Sequence, residues 1–142
     1  MFEDDDFELP DDLAAMADAA GAALAGMGEE FAAGAEGDAG ALKGHLEKAA
    51  QSVDDEGFQQ NMARAFGIAH DLKGQGSTFG YNLVTEIAGH LCTLTRPQNN
   101  PGRETLPQIQ VCAQALLDVL AGRIDGDGGT IGVRLRETLG IG

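Results

Sequence analysis

A histidine, a lysine and a glycine lie close together in the stretch AHDLKGQG, with a spacing that suits nucleophilic chemistry on a helix. At about 100° per residue, Lys73 and Gly74 fall within roughly 60° of His70 on the helical wheel. An imidazole nitrogen can form a covalent intermediate. A phosphoryl group on it would add about two negative charges, of which Lys73 would offset part. His70 is therefore the candidate acceptor of a phosphoryl group.

Other residues on the same stripe favour access to the imidazole. Gly74 lacks the Cβ that would hinder an approaching partner, although glycine is unfavourable inside a helix. Ser77 is placed to donate a hydrogen bond to a phosphoryl oxygen. An unpaired aromatic such as Phe66 suits a docking surface, and burial of Phe66 beneath an N-terminal helix is an equally good alternative. The candidate docking residues are Ala63, Phe66 and Gly67.

The opposite face of this helix is predicted to be buried. Asp54 or Asp55 is expected to cap its start, and it is expected to run to about Phe79, where Gly80 ends it in a left-handed conformation. Opposite His70 lie Ile68, Leu72, Phe79 and Ala65, with Ala69 and Met62 on the flanks.

Apolar residues recur every three or four positions in several further segments, which is the spacing of one helical face. The glycine-rich residues Gly34–Gly40 predict a break and Pro97–Gly102 predicts a loop, whereas Pro107 is tolerated in a first helical turn. Thr130 is the expected N-cap of a short final helix, which carries Ile131, Leu135 and Leu139. The other predicted helices are 10–33, 40–52, 83–95 and 104–124.

Length and composition favour a single all-α domain. The chain has 142 residues, of which 43% are apolar, and it lacks β-branched runs. We expect an antiparallel four-helix bundle over residues 10–142, with its core at about 40–124, an additional N-terminal helix and a short C-terminal helix.

The chain is strongly acidic, with a formal net charge of -14. Seven acidic residues and no basic one lie within the first twelve, so residues 1–9 are predicted to be a flexible, solvated stretch. The rest is still acidic, which disfavours binding to nucleic acid or to an anionic membrane surface. With no recognisable signal peptide or membrane span, the expected location is the cytoplasm.

The remaining candidate ligands do not form a site in the sequence. Cys92 and Cys112 lie on apolar helical stripes and are expected to be small buried hydrophobes. His45 has no setting like that of His70, and His90 is two residues from Cys92, which points them to different sides of a helix. The Asp125–Gly129 turn fails as a calcium loop because position six is not glycine and position twelve is not glutamate. No metal or cofactor of its own is expected.

The segment AHDLKGQGSTFG resembles the histidine-containing phosphotransfer (HPt) domain, whose motif is H-x-L-K-G with a glycine ten residues after the histidine. His70, Leu72, Lys73, Gly74 and Gly80 match that motif, whereas Gln75 stands where many members have a small residue. The ending Ser-Thr-Phe-Gly is similar to that of phosphotransfer domains in chemotaxis kinases. The resemblance implies a four-helix bundle whose second helix carries the phosphorylated histidine.

The same resemblance implies partners and a mechanism. A receiver domain carrying phosphoaspartate would dock around His70, the imidazole would attack the acyl phosphate in line, and the group would later pass to another receiver aspartate. Magnesium would be supplied by the receiver, so the protein would be a monomeric phosphocarrier without turnover of its own. A histidine kinase is an alternative donor. A different hypothesis is an adaptor or inhibitor that binds a receiver or a kinase without being phosphorylated.

Overall fold

The computed structural model describes residues 11–142, which form five α-helices and no strand. The prediction of an all-α bundle is confirmed for this part of the chain, and the acidic residues 1–9 lie outside it. None of the helices in the described range combines the length and the apolar character needed to cross a membrane. The helices are α1 Asp11–Gln51, α2 Asp55–Gln75, α3 Asn82–Thr95, α4 Leu106–Ala121 and α5 Gly129–Leu139.

Helices α1 to α4 form a four-helix bundle in which each helix packs against two neighbours. α2 packs against α1 and α3, and α4 packs against α3 and α1. Because short connections join successive helices, neighbours run antiparallel. The core contains apolar side chains from every helix, and the largest fully buried ones are Phe58, Leu42, Leu46, Met62, Leu72, Leu83, Ile87, Leu91, Ile109, Leu116, Leu120 and Val84.

α1 is one continuous helix of 41 residues, so the predicted break at Gly34–Gly40 and the separate helices 10–33 and 40–52 are wrong. Glycine weakens a helix by about 1 kcal/mol relative to alanine, but here tertiary packing outweighs that cost. The glycines at 34, 37 and 40 lie on the outer face, where nothing surrounds their Cβ positions. On the inner face Ala32, Ala35 and Ala39 are buried, so the core begins before residue 40.

α2 begins as predicted and ends earlier than predicted. The Asp54 carboxylate accepts a hydrogen bond of 2.8 Å from the backbone N–H of Gly57, which confirms the cap. The α-helix stops at Gln75, and a 3₁₀ turn over Ser77–Phe79 follows. Gly80 then adopts φ 85°, the expected left-handed conformation.

Gly76 lies where α2 ends, in tight contact with the start of α3. A Cβ on Gly76 would lie 2.5 Å from Thr85 Oγ1 and 2.9 Å from the carbonyl oxygen of Tyr81. The Thr85 hydroxyl donates to the carbonyl of Lys73 at 3.1 Å and accepts from the N–H of Ser77 at 2.8 Å. The end of α2 is therefore held against the start of α3 at a distance that only glycine permits.

α4 and α5 differ from prediction at their ends. α4 begins later than the predicted 104–124 because a 3₁₀ turn over Arg103–Thr105 precedes it, and it ends earlier, at Ala121. Pro107 lies in its first turn as expected. Thr130 is not the cap of α5. The helix begins at Gly129, where the N–H donates to the Asp127 carboxylate at 2.9 Å, after a left-handed Gly128.

Candidate functional site

The outward face of α2 carries His70. Its inward face buries Phe58, Met62, Ala65, Ala69 and Leu72. His70 is exposed, and so are Lys73, Gly74 and Ala63 on the same side, as the helical wheel predicted. Ile68 and Phe79 were expected on the buried face and are only partly buried; Phe79 lies beyond the end of the helix.

Two exposed glycines flank the imidazole, Gly67 one turn before His70 and Gly74 one turn after it. Nothing lies within 4 Å of the position that a Cβ would occupy on either residue. The packing of the described chain therefore does not require glycine at these positions. Side chains there would extend from the helix surface on either side of the imidazole, and their absence leaves the histidine open to a large partner.

Phe66 supports the imidazole from the side of α3. Its ring centroid is 5.9 Å from that of His70, with the planes inclined by 40°. The guanidinium carbon of Arg96, at the C-terminal end of α3, lies 5.7 Å from the centroid of the Phe66 ring. Phe66 is half-buried, so its position is intermediate between the two predicted alternatives.

Lys73 lies along α3. Its Cδ and Cε are 3.8 Å from the position that a Cβ would take on Gly89, so the aliphatic stem packs on the neighbouring helix. Burial raises the pKa of the Cys92 thiol, and the positive charges of Lys73 and Arg96 oppose that rise. Two cations therefore lie on the α3 side of the site.

Ser77 is exposed but lies outside α2. Because the helix ends at Gln75, Ser77 does not continue the helical stripe of His70, contrary to the prediction. Its backbone N–H donates a hydrogen bond to the Thr85 hydroxyl. Only its nearness to His70 in sequence now supports the Ser77 hydroxyl as a donor to a phosphoryl oxygen.

A shallow depression of about 580 Å³ lies beside His70. It adds residues that sequence reasoning missed: Arg64 and Asp71 come from α2 itself, whereas His45 comes from α1 and Arg96 from the end of α3. Spacing along α2 could have revealed the first two, but His45 and Arg96 reach the site only through packing. The lining residues are His45, Arg64, Phe66, Gly67, Ile68, His70, Asp71 and Arg96.

Comparison with known families identifies the bundle. The family model described as Hpt domain matches residues 7–126, which includes α1 to α4. The chain belongs to the Hpt domain family. No curated protein and no solved structure matches it.

Membership in the Hpt family associates this chain with histidine phosphotransfer in two-component phosphorelays. Hpt domains are phosphocarriers rather than enzymes, and they interact with receiver domains or kinases.

The other histidines and the cysteines have different surroundings. His90 is half-buried on α3 and lies with Cys112 beside a small cavity that also contacts Leu139. Both cysteines are free and buried, as predicted. Among residues 11–142, no group of three or more His, Cys, Asp or Glu side chains is placed to hold a metal ion.

Proposed function

We propose that this Hpt protein is a phosphocarrier in which His70 accepts a phosphoryl group from a receiver aspartate and passes it to another receiver aspartate. The observation that carries the proposal is the exposure of His70 between Gly67 and Gly74. Nothing in the described chain lies within 4 Å of the position that a Cβ would occupy on either glycine. A receiver is a whole domain, and an open helix face admits it where a closed cleft would not.

The proposed transfer is a direct displacement at phosphorus. The unprotonated imidazole nitrogen of His70 forms a bond to phosphorus as the bond to the aspartate carboxylate oxygen breaks, and the carboxylate leaves with the electron pair. The reverse sequence of events delivers the group to a second receiver. Hpt residues hold the nucleophile, while the receiver supplies magnesium and most of the charge stabilisation in the transition state.

The electrostatics around His70 fit an anionic partner. Among the residues that the structure describes, Arg64 and Arg96 line the depression beside it together with one carboxylate, that of Asp71, and Lys73 follows one turn along α2. Local positive charge steers an acyl phosphate towards the imidazole and offsets the charge of the phosphorylated product.

A phosphotransfer assay with matched histidine variants tests the proposal. Receiver domains of the source organism are labelled with radioactive phosphate and mixed in turn with the native protein, His70→Gln and His90→Gln. We expect label on the native protein and on His90→Gln, and none on His70→Gln with its helical circular dichroism unchanged. The label should be acid-labile and base-stable. His90 is the matched control because it is a histidine of α3 that lies outside the depression beside His70.

Label that persists on folded His70→Gln would overturn the assignment of His70. A parallel arm with histidine kinases and ATP separates a kinase donor from a receiver donor. Tight receiver binding without label in either arm would favour the adaptor hypothesis over phosphotransfer.

A further inference from the structure

The first part of α1 projects beyond the bundle. Every residue from 12 to 27 is exposed, and the first buried residue is Ala32. At about 1.5 Å per residue, this part of the helix is roughly 24 Å long. Glycines at 21, 26 and 28 weaken it, and an isolated helix of this length is only marginally stable in water.

Large apolar side chains follow one face of this projection. At about 100° per residue they lie on the same stripe as Phe31 and Leu42, which face the bundle. The helix therefore extends its core-facing side past the end of the core. We call these four residues the projecting stripe: Leu13, Met16, Leu24 and Met27, which are 45%, 64%, 67% and 49% exposed.

A cavity of about 520 Å³ joins the projecting stripe to the bundle. The Phe31 ring stacks on that of Phe79, with centroids 5.0 Å apart. Met27 belongs to both the stripe and the cavity, so the apolar surface is continuous from the free part of α1 to the end of α2. The residues that line this cavity include Met27, Phe31, Ala35, Gln75 and Phe79.

Charge is distributed unevenly between this region and the rest of the chain. Twelve of the 23 acidic residues and none of the nine basic ones precede Lys43. Glu30 and Asp38 border the cavity, whereas Glu29 and Glu36 are paired with Arg123. A second copy of the chain would bring the same negative charge to the contact, and like charges oppose that pairing.

We propose that the projecting stripe and the adjoining cavity bind a basic amphipathic helix of another protein, with apolar residues on one face and Lys or Arg on its flanks. The apolar face covers the stripe and extends the core of the bundle, and the flanking cations meet the acidic residues of α1. This binding site is separate from His70, and it does not depend on phosphotransfer.

Synthetic peptides of about seven helical turns test this inference against the full chain. One peptide has Leu on one face and Lys on the flanks, a second has Glu in place of Lys, and a third has Ser in place of Leu. The variant Met16→Gln/Leu24→Gln replaces the two most exposed residues of the projecting stripe with glutamine, whose helix propensity is similar. The matched control is Ala15→Gln/Ala22→Gln, since both alanines are exposed on the opposite face.

Fluorescence anisotropy should show that the Leu/Lys peptide binds the native chain and the control with affinities within about twofold. The stripe variant should bind about tenfold or more weakly, a difference of about 1.4 kcal/mol. The Glu and Ser peptides should bind more weakly than the Leu/Lys peptide. Equal binding to the stripe variant would reveal charge attraction alone and overturn the proposal, as would no binding at all. Sedimentation that showed a dimer lost in the stripe variant would assign the surface to a second copy instead.

Discussion

At the scale of single residues, Gly74 and Gly76 are glycine for opposite reasons. Gly74 is exposed in the helix beside His70, and nothing in the described chain surrounds its Cβ position. Gly76 is buried against Thr85 and Tyr81, where a Cβ would collide with both. The space beside Gly74 is open to a partner, whereas the packing of α2 against α3 requires glycine at position 76.

This difference predicts opposite effects of two substitutions. Gly74→Leu should raise the free energy of unfolding by about 0.5–1 kcal/mol, because leucine is the better helix former. It should also slow phosphotransfer from a receiver by about tenfold or more, since the side chain occupies the approach to His70. Urea denaturation and a transfer time course measure the two effects.

Gly76→Ala is the comparison. It should lower the free energy of unfolding by about 1–3 kcal/mol, because the added methyl group overpacks the junction between α2 and α3. Transfer by Gly74→Leu at the native rate would contradict an approach of the partner over Gly74.

At the scale of elements, Arg123 ties α1 to the end of α4. Its guanidinium donates to the carboxylates of Glu29 and Glu36, with shortest distances of 3.0 Å and 2.9 Å, and to the carbonyl of Leu120. Arg123 adopts φ 52°, a left-handed conformation that is uncommon outside glycine. These contacts hold α1 where its projecting part leaves the bundle.

The Arg123 contacts predict a pH-dependent change in α1. The hydrogen bond from Arg123 lowers the pKa of Glu29 below its ordinary value of 4.5, so the ionised carboxylate stabilises the folded state. This contribution is present above the unfolded pKa and is lost as pH falls through the lowered pKa. Arg123→Gln should therefore reduce the amide hydrogen-exchange protection of residues 29–36 at neutral pH, and the difference from the native chain should shrink in acid.

The control for that experiment is Arg134→Gln, which removes an exposed arginine of α5. It should leave the protection of residues 29–36 unchanged. A difference between Arg123→Gln and the native chain that stayed constant from neutral pH into acid would contradict the role of the Glu29 carboxylate.

At the scale of the whole molecule, the two thiols lie in one core. Cys92 on α3 and Cys112 on α4 are each 1% exposed. Burial raises the pKa of Cys112 to about 12, so that at neutral pH its thiol is protonated and unreactive in the folded state. Both thiols should therefore become reactive only when the whole bundle unfolds.

We predict that an aromatic disulfide reagent labels both cysteines slowly in buffer. The labelling rate should rise with urea in parallel with the loss of helical circular dichroism, because exposure of either thiol requires the bundle to open. The single-thiol variant Cys92→Ala isolates Cys112. Rapid labelling of Cys92 in buffer would contradict this prediction and would indicate local opening of α3 next to Lys73.

The sequence by itself determined the features that depend on near neighbours. The placement of His70, Lys73 and Gly74 on the exposed face of α2 follows from the helical period, and the Asp54 cap and the left-handed Gly80 follow from local backbone chemistry. Each of these features is set within a few turns of one helix, so spacing along the chain was sufficient to predict it.

Only the tertiary structure decided the features that depend on contacts between distant segments of the chain. α1 continues through Gly34–Gly40 because packing of its inner face outweighs the low helix propensity of glycine. Arg96 and His45 reach the surroundings of His70 from other helices, and the requirement for glycine at position 76 comes from contact with Thr85 of α3. Local propensity contains no information about such contacts, because they form between residues far apart in the chain.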